Sequence, residues 1–501
     1  MNRKPTDIES FLEDQGFVII SQDEQALIDA QEGHVDETGT GLIDQYRTML
    51  DKGPLDHHVV TEATEKVPDK KFQVSAGKTA ASATYDIPTI VEYLNWHMNR
   101  ISENVIGRDD VVRQAFYSIL TGEHMLLLSR TGMAKSFLAT YIFNTFEGAR
   151  VFASQASKDQ TPDNYFGPYN IEEFKKGRIR HNIQGSIIEA NLVFLDEFFD
   201  ASDVVLRSLL SVLNERKFIN GSEQIDVAVH SAIATANYMR MNEVTEAVLD
   251  RFTYKSILPE DNNVYTQLLI DHTYQFSKGR PVEPERKIYF NDILYLYNII
   301  KNNNKSIKVE IPDFVYFMKN AIVNKFVSEI RKSDYNYFIS PRKQAKLADF
   351  LRASALINNR FEVNMDDLKD MYIALCTLNS FVSVKAKDKS ESDVYLDAYQ
   401  QTMVHYNATG AVQQIEFLLN VRRLFQEIRE NPEKRDLILQ KKGLLEGLIG
   451  FLKKIFPSRR SSEDEKITIE SLKNNVLELN PAVEEVRELK EGILRDYREI
   501  Y

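Results

Sequence analysis

Apolar residues change their spacing along this chain, and each change predicts a different kind of structure. From Pro88 onward, Ile90, Leu94, Met98, Ile101 and Val105 recur every three or four residues. That is an amphipathic helical stripe, and Pro88 suits its first turn. Past Met125 the pattern shifts to short continuous apolar runs: MLLLS (Met125–Ser129), RVFAS (Arg150–Ser154), LVFL (Leu192–Leu195), SAIATA (Ser231–Ala236) and KSILP (Lys255–Pro259). Runs of this length read as buried strands of a parallel sheet. Between them Leu206, Leu209, Leu210 and Leu213 fall on one helical face. Strand–helix alternation predicts a three-layer α/β domain.

The flanks read differently. Residues 1–85 are rich in Asp, Glu, Gly, Thr and Ser, with apolar periodicity only near Ile8–Leu12 and Glu24–Ala30. They predict an acidic, partly disordered N-terminal extension. Helical periodicity dominates 261–380 and again 381–501, and Ser458–Lys466 (SRRSSEDEK) has the composition of an exposed linker. No internal repeat is visible. The expected division is an extension over 1–85, a nucleotide-binding core over 86–260, an all-α lid over 261–380 and a helical C-terminal region over 381–501.

Chemistry concentrates at the ends of the predicted strands. Directly after the first comes SRTGMAKS, Ser129 to Ser136, and then the apolar helix FLATYIF. A phosphate loop needs a tight turn whose backbone N–H groups face phosphate oxygens at a helix N-terminus. In the pattern G-x-x-x-x-G-K-[ST], Lys135 and Ser136 match, and Thr131, Gly132, Met133 and Ala134 complete the cradle. Ser129 and Ala134 replace the two glycines. Lys135 would face the β- and γ-phosphates, and Ser136 would ligate Mg²⁺. Taken alone the loop is degenerate, and a polar turn containing AKS is an equal reading.

The third strand ends in LVFLDEFF. A buried, rigid strand delivers Asp196 and Glu197 at its carboxyl tip, where ligands of open α/β sheets bind. Asp196 would hold the Mg²⁺ shell, and Glu197 would orient the attacking water.

Composition removes several alternatives. The 501 residues include 43% hydrophobic ones, enough for a sizeable core. A net charge of −12 argues against coating nucleic acid, which needs clustered Lys and Arg. With Cys376 the only cysteine, neither an internal disulfide nor a Cys-based zinc site can form. His97, His124 and His181 lack a second ligand at helical spacing. No apolar stretch approaches the length of a spanning helix, and the first residues do not read as a signal peptide, so a cytoplasmic location is expected. The amphipathic stretch Gly443–Phe456 reads as a packed helix ahead of a membrane-surface one. Glu484 to Arg498 reads as a solvated or partner-binding helix.

Several segments together resemble the MoxR family of AAA+ ATPases, closest to its RavA-like branch. They are VIGRDDVVRQAFYSILTGEHMLLLSRTGMAKS, NYFGPYNIEEFKKGRI, LVFLDEFFDASDVVLRSLLSVLNERKFINGSEQ, SAIATANY, AVLDRF and ISPRKQAKLADFLRASALI. They fall in the family's order from about 105 to 355, leaving 1–85 and 381–501 uncovered. The resemblance places Asn237 at the sensor-1 position, Arg251 at the arginine finger and Arg342 at sensor 2. Local chemistry agrees for the last: Ser340 can cap a helix, Pro341 suits its first position, and Arg342 falls in the first turn. Ile106 and Gly107 match the segment lining the adenine pocket. Ser129 and Arg130 depart from the family's Gly-Pro-Pro-Gly, which bears on hydrolysis more than on binding. A Ser in a glycine's place also raises the question of backbone strain.

The resemblance implies a five-stranded parallel core, a helical lid, ATP with Mg²⁺, and a hexameric ring with sites between subunits. It also implies an insert around Gly167–Gly177, a von Willebrand factor A-domain partner and chaperone-like work on protein complexes. The competing class is a nucleotide-binding scaffold or switch that hydrolyses poorly, which the altered loop favours. Glu197, Asn237, Arg251 and Arg342 together favour hydrolysis. A GTPase would need a guanine-reading N-K-x-D segment, which is missing.

Overall fold

The computed structural model describes residues 83–130, 132–238, 249–258, 263–277, 286–332, 339–378, 381–384, 387–434, 455 and 468–500. The extension up to residue 82, Thr131, the linker at 458–466 and all of 443–456 except Ile455 lie outside the described residues. The chain divides into two compact units. One contains the described residues up to Glu310 with Lys332–Val363 and Asp370–Ser392; the other contains Ile311–Arg331, Asn364–Lys369 and Asp393–Tyr501.

The first unit begins with helix α1 (Ile87–Asn104), which has Pro in its first turn and buries Ile90, Leu94, Met98 and Ile101. Helix α2 (Asp109–Thr121) follows and ends on Gly122, whose φ of 64° closes the helix in a left-handed cap. A Cβ on Gly122 would meet the Tyr297 ring at 2.5 Å. Then come strand β1 (Met125–Ser129), helix α3 (Lys135–Phe143), strands β2 (Val151–Gln155) and β3 (Leu192–Asp196), helix α4 (Asp203–Glu215), and strands β4 (Ser231–Ala236) and β5 (Tyr254–Leu258). These are the five strands the apolar runs predict. Helices α5 (Phe290–Ile300) and α7 (Pro341–Ile357) also belong to this unit, whereas α6 (Asp313–Arg331) belongs to the other. A two-residue strand, β6 (Thr377–Leu378), joins the sheet at the β5 edge.

The strands lie in the order β6-β5-β1-β4-β3-β2 and every pairing is parallel. All carboxyl ends therefore share one edge. β1 and β4 are buried along their whole length, as a sheet covered on both faces requires. Helix α2 packs against α1, α5 and α7. Burial runs through its residues from Gln114 to Thr121 without a break, which marks a helix enclosed on every side.

On α4, Ser202 caps the N-terminus through Val205 N, and Val205, Leu206, Leu209, Leu210, Val212 and Leu213 form the buried stripe. They join Leu126, Val193, Leu195, Ala232 and Ala234 of the sheet in one apolar cluster. Leu209 is fully buried there. Leu209→Ala is expected to cost about 2–5 kcal/mol, the sum of lost transfer energy and an unfilled cavity. A urea titration followed by fluorescence checks it; a midpoint equal to the parent's would contradict the packing.

The second unit is helical: α6, the short Met365–Lys369, α8 (Glu391–Ala408), α9 (Ala411–Glu430), α10 (Ile469–Glu478) and α11 (Glu484–Ile500). Only Glu391 and Ser392, at the start of α8, fall in the first unit. α11 packs along α9, with Phe417, Leu418, Leu424 and Val486 fully buried. One departure from the helical reading of 381–501 is an antiparallel hairpin, Phe381–Val384 with Lys387–Ser390. Phe-Val-Ser-Val has the β-branched content and period of two that favour a strand. No helix among the described residues is long and apolar enough to cross a membrane.

Candidate functional site

The candidate site lies at the carboxyl edge of the sheet. β1 ends at Ser129 and α3 starts at Lys135; between them Gly132 has φ 87° and Ala134 φ 58°. Ser129 itself is buried and extended, so the residue replacing the loop's first glycine carries no left-handed strain. That strain falls on Ala134, the N-cap residue of α3, which supplies no side-chain cap. The first-turn N–H groups of α3 are thereby left for an anion.

Lys135 is buried and donates from Nζ to Ser129 O at 3.0 Å and to Asn237 Oδ1. Burial pulls its ammonium below the usual lysine range, and the negative charges of Asp196 and Glu197 oppose the shift. An ammonium held this way, with no counterion in direct contact among the described residues, suits an incoming polyanion.

The acidic pair is fixed by strand register. Gln155, the last residue of β2, lies opposite Asp196. Ser136 Oγ donates to Asp196 Oδ2 at 2.9 Å, and Thr235 Oγ1 donates to the other carboxylate oxygen. Glu197 receives Gln155 Nε2 at 2.6 Å on one oxygen and Asn237 Nδ2 at 3.3 Å on the other. Its backbone is left-handed, φ 49° and ψ 41°, which is uncommon for a residue with a side chain and recurs at functional sites. Asn237 thus touches Lys135 with its carbonyl and Glu197 with its amide. Ser136 and Asp196 offer two hard oxygen donors within hydrogen-bond distance, a set that fits one side of a Mg²⁺ shell.

The structure therefore brings Lys135, Ser136, Asp196, Glu197 and Asn237 together. Sequence reading missed Thr235 and Gln155. Both are signalled only by pairing, since Thr235 sits two residues before Asn237 on the strand beside Asp196. Ile106 and Gly107 lie between α1 and α2, with Gly107 at φ 71°. Just before them, Asn104 Nδ2 donates to Tyr141 OH of α3 at 3.2 Å, tying this segment to the loop's own helix. In the insert, Asp163–Phe166 and Ile171–Lys175 are short helices, and Tyr169 bridges His181. Ile171 and Phe174 stand exposed.

The three histidines take up structural contacts. His97 Nε2 meets Arg286 O, His124 lies between Leu213 O at 2.9 Å and Ala232 N at 3.0 Å, and His181 Nδ1 meets Gly167 O at 2.7 Å.

The two arginines lie elsewhere. Ser340 caps α7 as expected, with Lys343 N donating to its Oγ at 3.2 Å. Arg342, however, pairs with Asp250 at 3.1 Å, and both side chains are about half exposed. One turn on, Lys346 reaches Glu123 at 2.6 Å and Thr253 Oγ1 at 2.8 Å, residues that precede β1 and β5. That is the amino edge of the sheet. A five-residue strand spans about 16 Å, so the segment carrying Asp250, Arg251 and Arg342 sits a strand length away from the loop of its own chain.

A parallel sheet with this strand order, a phosphate loop after its first strand, an acidic pair after its third, a polar residue after its fourth and a helical lid define the P-loop core and lid of AAA+ ATPases. Residues 92–296 match the family model described as the MoxR domain in the MoxR-vWA-beta-propeller ternary systems, and residues 310–377 match an AAA lid domain. Over these residues the chain is similar to a MoxR domain followed by an AAA lid domain.

Among its relatives, an uncharacterized protein of Methanocaldococcus jannaschii is 26% identical over 268 residues, which cover 53% of this chain and 65% of that protein. Chaperone MoxR1 of Mycobacterium tuberculosis is 23% identical over 273 residues, covering 53% of this chain and 69% of its own. The match thus spans under two thirds of the archaeal relative. A crystal structure of a proposed ATPase from Cytophaga hutchinsonii is 21% identical with a TM-score of 0.48, covering 63% of this chain and 95% of that one.

Proposed function

We propose that this chain binds Mg²⁺-ATP at the carboxyl edge of the sheet and hydrolyses it within a ring of identical subunits. The observation that carries this reading is the connected network Ser136–Asp196–Thr235 and Lys135–Asn237–Glu197 on one sheet edge. Lys135 and the open N-terminus of α3 take the β- and γ-phosphates. Ser136 and Asp196 hold Mg²⁺, which when bound neutralises charge on the same phosphates. Glu197 orients and polarises the attacking water, and Asn237 fixes that carboxylate from the neighbouring strand. Ile106 and Gly107 border the adenine, and Thr131, Gly132, Met133 and Ala134 form the cradle.

Arg342 pairs with Asp250 beside Arg251, toward the amino edge of the sheet and away from the phosphate loop of the same chain. We assign both arginines to the site of an adjoining copy, where a guanidinium is always charged and offers forked donors. A ring, with six subunits in the family's pattern, supplies that geometry. Further extension follows the family resemblance: a cytoplasmic, chaperone-like remodeller of protein complexes that works with a von Willebrand factor A-domain partner. The RavA-like placement rests on sequence resemblance alone. A poorly hydrolysing nucleotide switch is the second reading, favoured by the strained Ala134 and the charged Arg130 in the loop. The paired Glu197 and Asn237 favour turnover.

Lys135→Ala is expected to abolish ATP binding, because no other side chain at the start of α3 can neutralise the terminal phosphates. Titration calorimetry with Mg²⁺-ATP tests it. Unchanged affinity in the variant would show that Ser129–Ser136 is not the phosphate loop.

A further inference from the structure

β5 carries a lysine whose contacts none of the roles above uses. Lys255, its second residue, is partly buried, and its backbone oxygen accepts Gln114 Nε2 of α2 at 3.1 Å. Its side chain turns back along the chain. Nζ donates to Leu249 O at 2.9 Å and to Phe252 O at 3.3 Å. These two carbonyls flank Arg251, and residues 249–251 are helical. The last turn of a helix leaves carbonyls without backbone partners, and a lysine near that end can satisfy them.

Removal from water, together with nearby Lys343 and Lys346, brings the Lys255 amine down to about 7, with Asp250 and Glu391 pulling the other way. A salt-bridging lysine would show the reverse shift. Asp250 is meanwhile held from outside by Arg342 at 3.1 Å. The Lys255 amine therefore ties the turn that carries Arg251 to the start of β5, alongside the buried Phe252 ring.

We infer that Lys255 is a positioning residue for Arg251: it locks the finger-bearing turn onto β5, so that the guanidinium is presented to an adjoining copy in one orientation. This rests on the reading that Arg251 acts in the neighbour's site. It gives Lys255 a direction: it serves the donating face of a subunit and leaves that subunit's own phosphate loop alone. A residue that merely stabilises the fold would affect both faces.

Mixing full-length variants separates these cases. Lys135→Ala subunits can donate Arg251 but cannot bind ATP, and Arg251→Ala subunits can bind but cannot donate. Their mixture defines the recovered activity. Placing Lys255→Met in the donor (with Lys135→Ala) should lower that recovery at least tenfold. Placing Lys255→Met in the acceptor (with Arg251→Ala) should leave it within twofold, which also shows that the substituted chain folds and assembles. Equal recovery with either donor would overturn the inference, as would an acceptor arm that fails as badly as the donor arm. If the reference mixture itself assembles and recovers nothing, the neighbour-site role of Arg251 fails, and the role of Lys255 fails with it.

Discussion

Arg251→Ala is expected to bind ATP as the parent does while losing roughly 10³–10⁵ of its hydrolysis rate, the range found for arginine fingers. The residue stands just before β5, and its neighbour Asp250 is paired with Arg342 at the amino edge of the sheet. Lys135 and Glu197 lie at the other edge. No rotamer of an arginine bridges a whole strand length, so an effect on turnover is expected to act through a second copy. Two measurements decide the matter: calorimetric ATP affinity, which should not change, and phosphate release, which should collapse. A variant that hydrolyses at the parental rate would reduce Arg251 to a structural residue. Loss of ATP affinity would instead place it in its own chain's pocket.

Glu197→Gln is expected to retain ATP and lose roughly 10²–10⁴ of its turnover, the usual contribution of a general base. The amide keeps the side chain's size and one oxygen, so Asn237 Nδ2 still has an acceptor. Asp196, held by Ser136 and Thr235, keeps its place independently of the substitution. What disappears is the negative charge that polarises water. The left-handed backbone at Glu197 is a property of the turn after β3, held by Asp200 N donating to Glu197 O at 2.7 Å, and it is unchanged by the variant. Rapid chemical quench of a single turnover reads the chemical step directly. Parental rates would make Glu197 a structural acid.

How far the chain could be read depended on the length scale of each signal. Five strands announced themselves because each is a segment of four to six residues with an apolar centre, and all four leucines expected on the α4 stripe are buried, with Val205 and Val212 beside them. β6 is two residues long and joins the sheet only because helical segments deliver it to the β5 edge, which no local pattern encodes. The hairpin at 381–390 was lost inside a region dominated by helical spacing. At the site, Lys135 and Ser136 were legible at the start of a helix and Asp196 and Glu197 at the tip of a strand, whereas Asn237 was singled out through the family resemblance. Thr235 and Gln155 were not legible, because their contacts depend on which strands pair and in what register. Lys255 was hidden for the same reason: a lysine inside a strand reads as an exception until the carbonyls it reaches are known. Arg342 shows the opposite limit. Its capping environment was correctly read from Ser340 and Pro341, yet those residues say nothing of the sheet edge at which the helix begins.

The network at the sheet edge either turns ATP over or only senses it. The most direct measurement is steady-state phosphate release by the purified full-length chain, with Mg²⁺ and with the metal chelated, beside Lys135→Ala as the background. Release that requires Mg²⁺ and vanishes in Lys135→Ala is the predicted result. ATP binding without release above that background, at any Mg²⁺ concentration and any protein concentration, would contradict it and leave the chain a nucleotide-gated switch.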